Sequence, residues 1–262
     1  MTFSPILPST GLNGWVFLQK TEEAQLETYS KGSQLNREAD YFRENIGKVE
    51  TAQQLIEDRT LMKVALGAFG LEDDLPNKFY IQKVLEEGST TEDSFANRLT
   101  DKRYLALTEA MDLTLGSERG VSDPDAIEDL LTSYTERSFE VAVGEVDNDM
   151  RLAMALDRDL GDIAAKSTGD DTKWFSILGS SSLREVFETA FSLPEGFGTL
   201  DIDKQLEVIK DRAQSQLGID SVDAFNDPEE IENLRRRFFL MGSIEQGTTG
   251  SGSIALTLLQ SI

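Results

Sequence analysis

Apolar residues in this chain recur with the 3.6-residue period of an α-helix. Leu61, Val64, Ala65, Ala68 and Phe69 fall at i, i+3, i+4, i+7 and i+8, which sets all five on one helical face. The same spacing returns 122 positions later in Leu183, Val186, Phe187, Ala190 and Phe191. Each run then breaks at a short turn, LEDDLP after the first and LPEGFG after the second, where Pro and Gly remove helical propensity. Sustained strand alternation is absent almost everywhere. The pattern predicts an all-α, bundle-like fold of about eight to ten helices.

The six prolines agree, because Pro5, Pro8, Pro76, Pro124, Pro194 and Pro228 all sit where a helix should begin or have ended. Asp123-Pro124 and Asp227-Pro228 each place a capping acceptor before a proline at the first helical position. Ser182 with Glu185 three residues on has capping-box spacing. Helix starts are therefore expected near residues 123, 182 and 227.

The recurrence extends beyond one helix. Arg37, Ala39, Phe42, Ile46, Gly47 and Val49 match Arg151, Ala153, Leu156, Leu160, Gly161 and Ile163 at an offset of 114, and Thr21-Glu22 matches Thr135-Glu136 at the same offset. Downstream, LTDKRYL from Leu99 matches FNDPEEI from Phe225 at an offset of 126. A slowly growing offset with preserved order is expected of a duplicated unit whose insertions collected in loops. Amphipathic helices also resemble one another without common descent, as DPDAIEDL and DPEEIENL do at non-equivalent points of the repeat. Duplication is the reading adopted, because Arg37/Arg151 and Gly47/Gly161 match where burial does not demand it. It divides the chain into an extension (1–11), two diverged helical repeats (12–112 and 126–240) joined by a linker (113–125), and a tail (241–262).

Charge narrows the partners. With 48 acidic and 25 basic residues the net charge is -23, which repels nucleic acid and anionic lipid at long range. Neither nucleic-acid binding nor membrane insertion is expected, since no segment approaches the run of about 20 apolar residues that spans a bilayer. The absence of cysteine and histidine removes thiol nucleophiles, thiolate metal sites and the commonest general base. Chemistry based on carboxylates, a Ser-Lys pair or Mg²⁺ stays open as an alternative. The N-terminal segment lacks the basic and apolar regions of a signal peptide, so a cytoplasmic protein is expected, with export by a leaderless route as the alternative.

The candidate chemical motifs have ordinary readings. Asp73-Asp74, Asp147-Asn148-Asp149, Asp170-Asp171 and Asp201-Ile202-Asp203 read as helix caps or solvated loops in so acidic a chain, and no calcium loop or phosphate-binding loop follows them. Neither a metal nor another cofactor is expected. Arg235-Arg236-Arg237 form the one dense basic spot. Because Ile231, Leu234, Phe238 and Met241 have helical spacing beside them, the arginines read as flanking a buried face and pairing with acidic neighbours, with partner contact as the alternative. Trp15 and Trp174 read as core. The tail, GSIEQGTTGSGSIALTLLQSI, reads as a Gly/Ser/Thr tether ending in Ile254, Leu256, Leu258 and Leu259, an apolar tip suited to docking on a protein partner.

Segments across nearly the whole chain, among them NREADYFRENIGKV, RTLMKVALGAFGLEDDL, FEVAVGEVDNDMRLAMAL and WFSILGSSSLREVFETAFSLPEGFGTL, resemble the alphaproteobacterial family catalogued as domain of unknown function 1217. Members of that family are often encoded among flagellar genes. The resemblance thus implies a part in flagellar assembly or motility and brings no catalytic residues with it. Together with the absence of a nucleophile-base pair, it points to a non-enzymatic adaptor, chaperone or assembly factor acting through protein contacts. An exported structural component of the flagellum is the alternative, and a carboxylate-based or Mg-dependent enzyme a third.

Overall fold

The computed structural model describes residues 3–116 and 120–260, with side chains described through residue 244. Among the described residues it contains thirteen α-helices, four short 3-10 helices and no strand, so the fold is all-α. The number exceeds the eight to ten expected because helices such as α3 (Ala52–Glu57) and α6 (Phe95–Arg98) span six and four residues, too few for a 3.6-residue period to show. Helices α8 (Pro124–Gly144) and α13 (Pro228–Gln260) open at the two expected prolines. The Asp123 and Asp227 carboxylates accept from the backbone N–H of Asp125 and Glu229.

The expected start at Ser182 is displaced. Ser180, extended between α10 (Asp170–Gly179) and α11 (Ser181–Ala190), is the residue whose hydroxyl accepts from Leu183 N. In a run of three serines the capping position goes to the one where the chain leaves the previous helix.

The chain divides into two compact units. The first comprises Met1–Pro5 and Thr21–Ala142. To it belong residues 21–30 of α1 (Gly11–Ser30), α2 (Ser33–Asn45), α3, α4 (Arg59–Ala68), α5 (Lys78–Glu87), α6, α7 (Arg103–Met111) and residues 124–142 of α8. Its core is built around α4, whose Leu61, Met62, Val64, Ala65, Leu66 and Ala68 are all buried, with α2 and α3 packed against it. A capping box between Thr51 and Gln54 starts α3, and the Asp58 carboxylate accepts from Thr60 N and Leu61 N to start α4. The described residues of the stretch 113–125 lie within this unit.

The second unit comprises Ile6–Lys20 and Val143–Ile262. It holds the first part of α1, α9 (Asn148–Ala164), α10, α11, α12 (Ile202–Leu217) and α13. Its centre is aromatic: Phe187 on α11 stands edge-on to Trp174, Phe191 and Phe225 at centroid distances of 5.9, 5.4 and 5.9 Å. Two buried cations are tied down. Lys173 donates to the Ala164 carbonyl at the end of α9 and to the Asp223 carboxylate. Arg235, 3% exposed, donates to the Ala153 carbonyl, to Glu232 and to Asp157, while its guanidinium covers the Trp15 ring at 4.8 Å.

Local details recur between the units at the offset of 122. The chain leaves α4 through Gly70 (φ 67°) and α11 through Ser192 (φ 48°), both left-handed. Leu71 N then donates to the Leu66 carbonyl and Leu193 N to the Glu188 carbonyl, each at 2.9 Å. This is the Schellman ending, for which glycine is the cheap residue. Ser192 keeps the geometry at a steric cost of about 1 kcal/mol. Two of the four acidic clusters cap helices, with Asp147 accepting from Met150 N and Asp201 from Asp203 N, whereas Asp170 accepts from Ser221 Oγ and Val222 N across the unit.

Two outcomes follow for stability. Arg235→Ala removes packing on Trp15 and an additional hydrogen bond to the Ala153 carbonyl; because Asp157 stays largely exposed, the ion-pair share is small, and a loss of about 2 kcal/mol is expected. Arg236→Ala, an exposed pair with Glu232, should stay within about 0.5 kcal/mol. Urea midpoints distinguish the two. The Asp149 and Glu185 carboxyls are both pushed up, by burial first and then by neighbouring carboxylates. A raised acid favours the fold when protonated, so this contribution is present at low pH and lost as pH rises through the folded-state value. Asp149→Asn should therefore raise the melting temperature at pH 7, with the gain fading as the pH falls to about 4.

Candidate functional site

A cavity of about 470 Å³ opens in the first unit, within the range of small-ligand sites. Each wall follows from helical spacing. Tyr134, Arg137, Ser138 and Val141 lie at i, i+3, i+4 and i+7 on α8, Lys63 and Gly67 at i, i+4 on α4, and Gln34, Leu35, Arg37 and Glu38 on α2. Phe3, Tyr29 and Glu72 complete it. Gly67 has a packing reason for interrupting a good helix: a Cβ there would meet the Tyr134 ring at 2.8 Å. The contact sets the ring against α4 and aims its hydroxyl across the cavity.

That hydroxyl donates to Glu38 Oε2 at 2.5 Å, while Lys63 Nζ and Gln34 Nε2 donate to Oε1 at 2.6 and 3.2 Å. Burial works to raise the Glu38 carboxyl, but the bonds from Lys63, Tyr134 and Gln34 outweigh it and hold it below its ordinary value. The Tyr134 hydroxyl is pushed far up by burial and by the carboxylate, so it stays a donor. This triad is satisfied internally.

Three other charges line the cavity. Arg137 lies over Gly70 at the C-terminus of α4, where its charge suits the helix dipole, and Arg103 donates to the Gly70 carbonyl. Arg37 is exposed and meets no carboxylate among the described residues. Glu72 presents an Oε2 shut off from solvent and without a hydrogen-bond partner. No group of three or more carboxylates that could hold a metal ion occurs among the described residues.

The second unit carries a different feature. Trp15 on α1 packs against Phe239 on α13 at 5.9 Å, and beside this contact Leu12 and Val16 on α1 and Leu240 and Ile244 on α13 are exposed. Both pairs are at i, i+4, so each helix turns an apolar edge outward next to a shared aromatic contact.

The sequence candidates fall as follows. Arg235 is buried and committed to Ala153, Asp157, Glu232 and Trp15. Arg236 is exposed and pairs with Glu232, and Arg237 donates to Gln216. Ile254, Leu256, Leu258 and Leu259 lie outside the residues whose side chains are described. Trp15 and Trp174 are buried, as expected. The cavity was not anticipated, because its polar residues read one by one as solvated helix faces. The one available signal was Gly67 within a periodic helical run. No helix is long and apolar enough to cross a membrane among the described residues.

No curated protein matches the chain. Its structure is similar to the crystal structure of a structural-genomics protein from Agrobacterium tumefaciens, at a TM-score of 0.72 and 27% sequence identity over 93% of this chain and 99% of that one. The profile of a family described as protein of unknown function, DUF1217, matches residues 68–231. Covering well over half the sequence and joined by the fold, that match shows that the chain belongs to the DUF1217 family.

Proposed function

We propose that this protein is a non-enzymatic adaptor or assembly factor of the bacterial flagellum that works by holding a protein partner. The observation that carries the reading is the apolar edge of the second unit, where Leu12, Val16, Leu240 and Ile244 stand exposed around the Trp15–Phe239 contact. Exposed apolar residues grouped around a rigid aromatic pair suit an amphipathic partner helix, which lays an i, i+4 face onto such an edge. The flagellar setting comes from the resemblance between this sequence and a family often encoded among flagellar genes. We propose further that the two units descend from one duplicated helical unit. Supporting this are the matched helix endings at Gly70 and Ser192 and the matched helix starts at Asp58 and Ser180, all at an offset of 122.

The test is an affinity pull-down from the native cell with three proteins: the full chain, a Leu12→Glu/Leu240→Glu double variant, and a chain ending at Ile244, which keeps the apolar edge. Recovery of a flagellar component by the full chain and its loss with the double variant, whose helical circular dichroism should be unchanged, is the expected result. Loss with the shortened chain as well would add the tail to the contact. Equal recovery by all three would remove both surfaces from the proposal. Recovery of nothing by any would replace the adaptor with an exported, self-assembling component.

A further inference from the structure

We infer that the two repeats exchange their opening helices, so that each compact unit is completed by a helix of the other repeat and the apolar partner edge is a product of that exchange. Treating the two helices as equivalents rests on the proposed duplication; their packing does not.

The first observation is the match in chain order. At the offset of 114, α1 (Gly11–Ser30) falls on residues 125–144, and α8 occupies Pro124–Gly144. Each is followed in its own repeat by the helix that carries the matched Arg37 or Arg151, and later by a stripe helix, α4 or α11. Chain order thus makes α1 the opening helix of the first repeat and α8 that of the second.

The second observation is where these helices are buried. On α8, Ile127, Leu130, Leu131 and Tyr134 lie at i, i+3, i+4 and i+7, and all four belong to the apolar cluster of the first unit, together with Leu61, Val64, Ala65 and Ala68 of α4. On α1, the residues through Lys20 belong to the second unit. Trp15, 3% exposed, packs on Phe239 of α13 and is covered by Arg235, while a Cβ on Gly14 would meet the Met150 side chain of α9 at 2.6 Å. The apolar surface that α8 and the first part of α1 remove from water is therefore supplied by the other repeat, and burial of such a face is what holds a helix in place.

The third observation is the make-up of the partner edge. Leu12 and Val16 come from the first repeat, and Leu240 and Ile244 from the second. The edge exists only while α1 is seated on α13. Lifting α1 would dismantle it and bare Phe239 and Met150, which are otherwise buried. Exchange of matching elements ties two halves together without a covalent link, as helix swapping does between subunits.

The experiment is hydrogen–deuterium exchange of the full chain, read peptide by peptide, with one substitution in each opening helix. Leu131→Ala, in the second repeat, should speed amide exchange in α4 of the first by about tenfold or more and leave α11 of its own repeat near its original rate. Trp15→Ala, in the first repeat, should speed exchange in α9 and α13 of the second and leave α4 near its original rate. A full-length chain with a protease recognition sequence inserted after Gly116, which is exposed with open space around it, gives a second reading. Once cut, its two halves should run as one species in gel filtration and separate only in denaturant. The inference is overturned if each substitution acts mainly on its own repeat or equally on both, or if the cut halves separate in native buffer. Neither reading involves the partner or common descent, so failure of the pull-down or of the duplication is told apart from failure here.

Discussion

Burial of one narrow apolar stripe on α4, and of its counterpart on α11, is the interaction on which each unit rests. Leu61, Val64, Ala65 and Ala68 in the one, and Leu183, Val186, Phe187 and Ala190 in the other, are all removed from water, and the neighbouring helices pack onto them. Truncating a single buried leucine costs about 2–5 kcal/mol. A domain has only about 5–15 kcal/mol in hand. Here that margin must also absorb the self-repulsion of a net charge of -23, with no disulfide to offset it. The stripes are therefore the least replaceable part of the sequence, and the surrounding helices need do little more than cover them.

The units spend their polar groups differently. The second buries Lys173 and Arg235 and satisfies both with backbone carbonyls and carboxylates, leaving an aromatic centre of Trp174, Phe187, Phe191 and Phe225. The first keeps a partly buried triad of Glu38, Lys63 and Tyr134 beside an open cavity. A satisfied polar network in a low-dielectric setting fixes the rotamers of its members. It can hold a cavity open where an apolar residue would close it.

Helix existence and most helix starts were legible because they are local. Asp123-Pro124 and Asp227-Pro228 cap whatever follows them, and the stripe on α4 is set by residues within ten positions of one another. Short helices escaped notice for the same reason, since α6 spans only four residues. The cavity was illegible because its parts are far apart in the chain. Glu38 lies 25 residues from Lys63 and 96 from Tyr134, and each is an ordinary polar residue of a helix. The arginine run follows its local reading, flanking a buried face and pairing with Asp157 and Glu232, but which of the three is buried was not legible: Arg235 is, and Arg236 is exposed.

The sequence by itself determined the all-α class, the positions of the apolar stripes, the helix starts at Pro124 and Pro228 and the family, since period, capping and motif order are properties of neighbouring residues. Only the tertiary structure decided which polar residues leave the solvent. It placed Arg235 over Trp15, carried Tyr134 to Glu38, and shut Glu72 Oε2 off from solvent without a donor. The physical reason is that a charge is set by everything that surrounds it in space, and those surroundings come together only when distant helices pack.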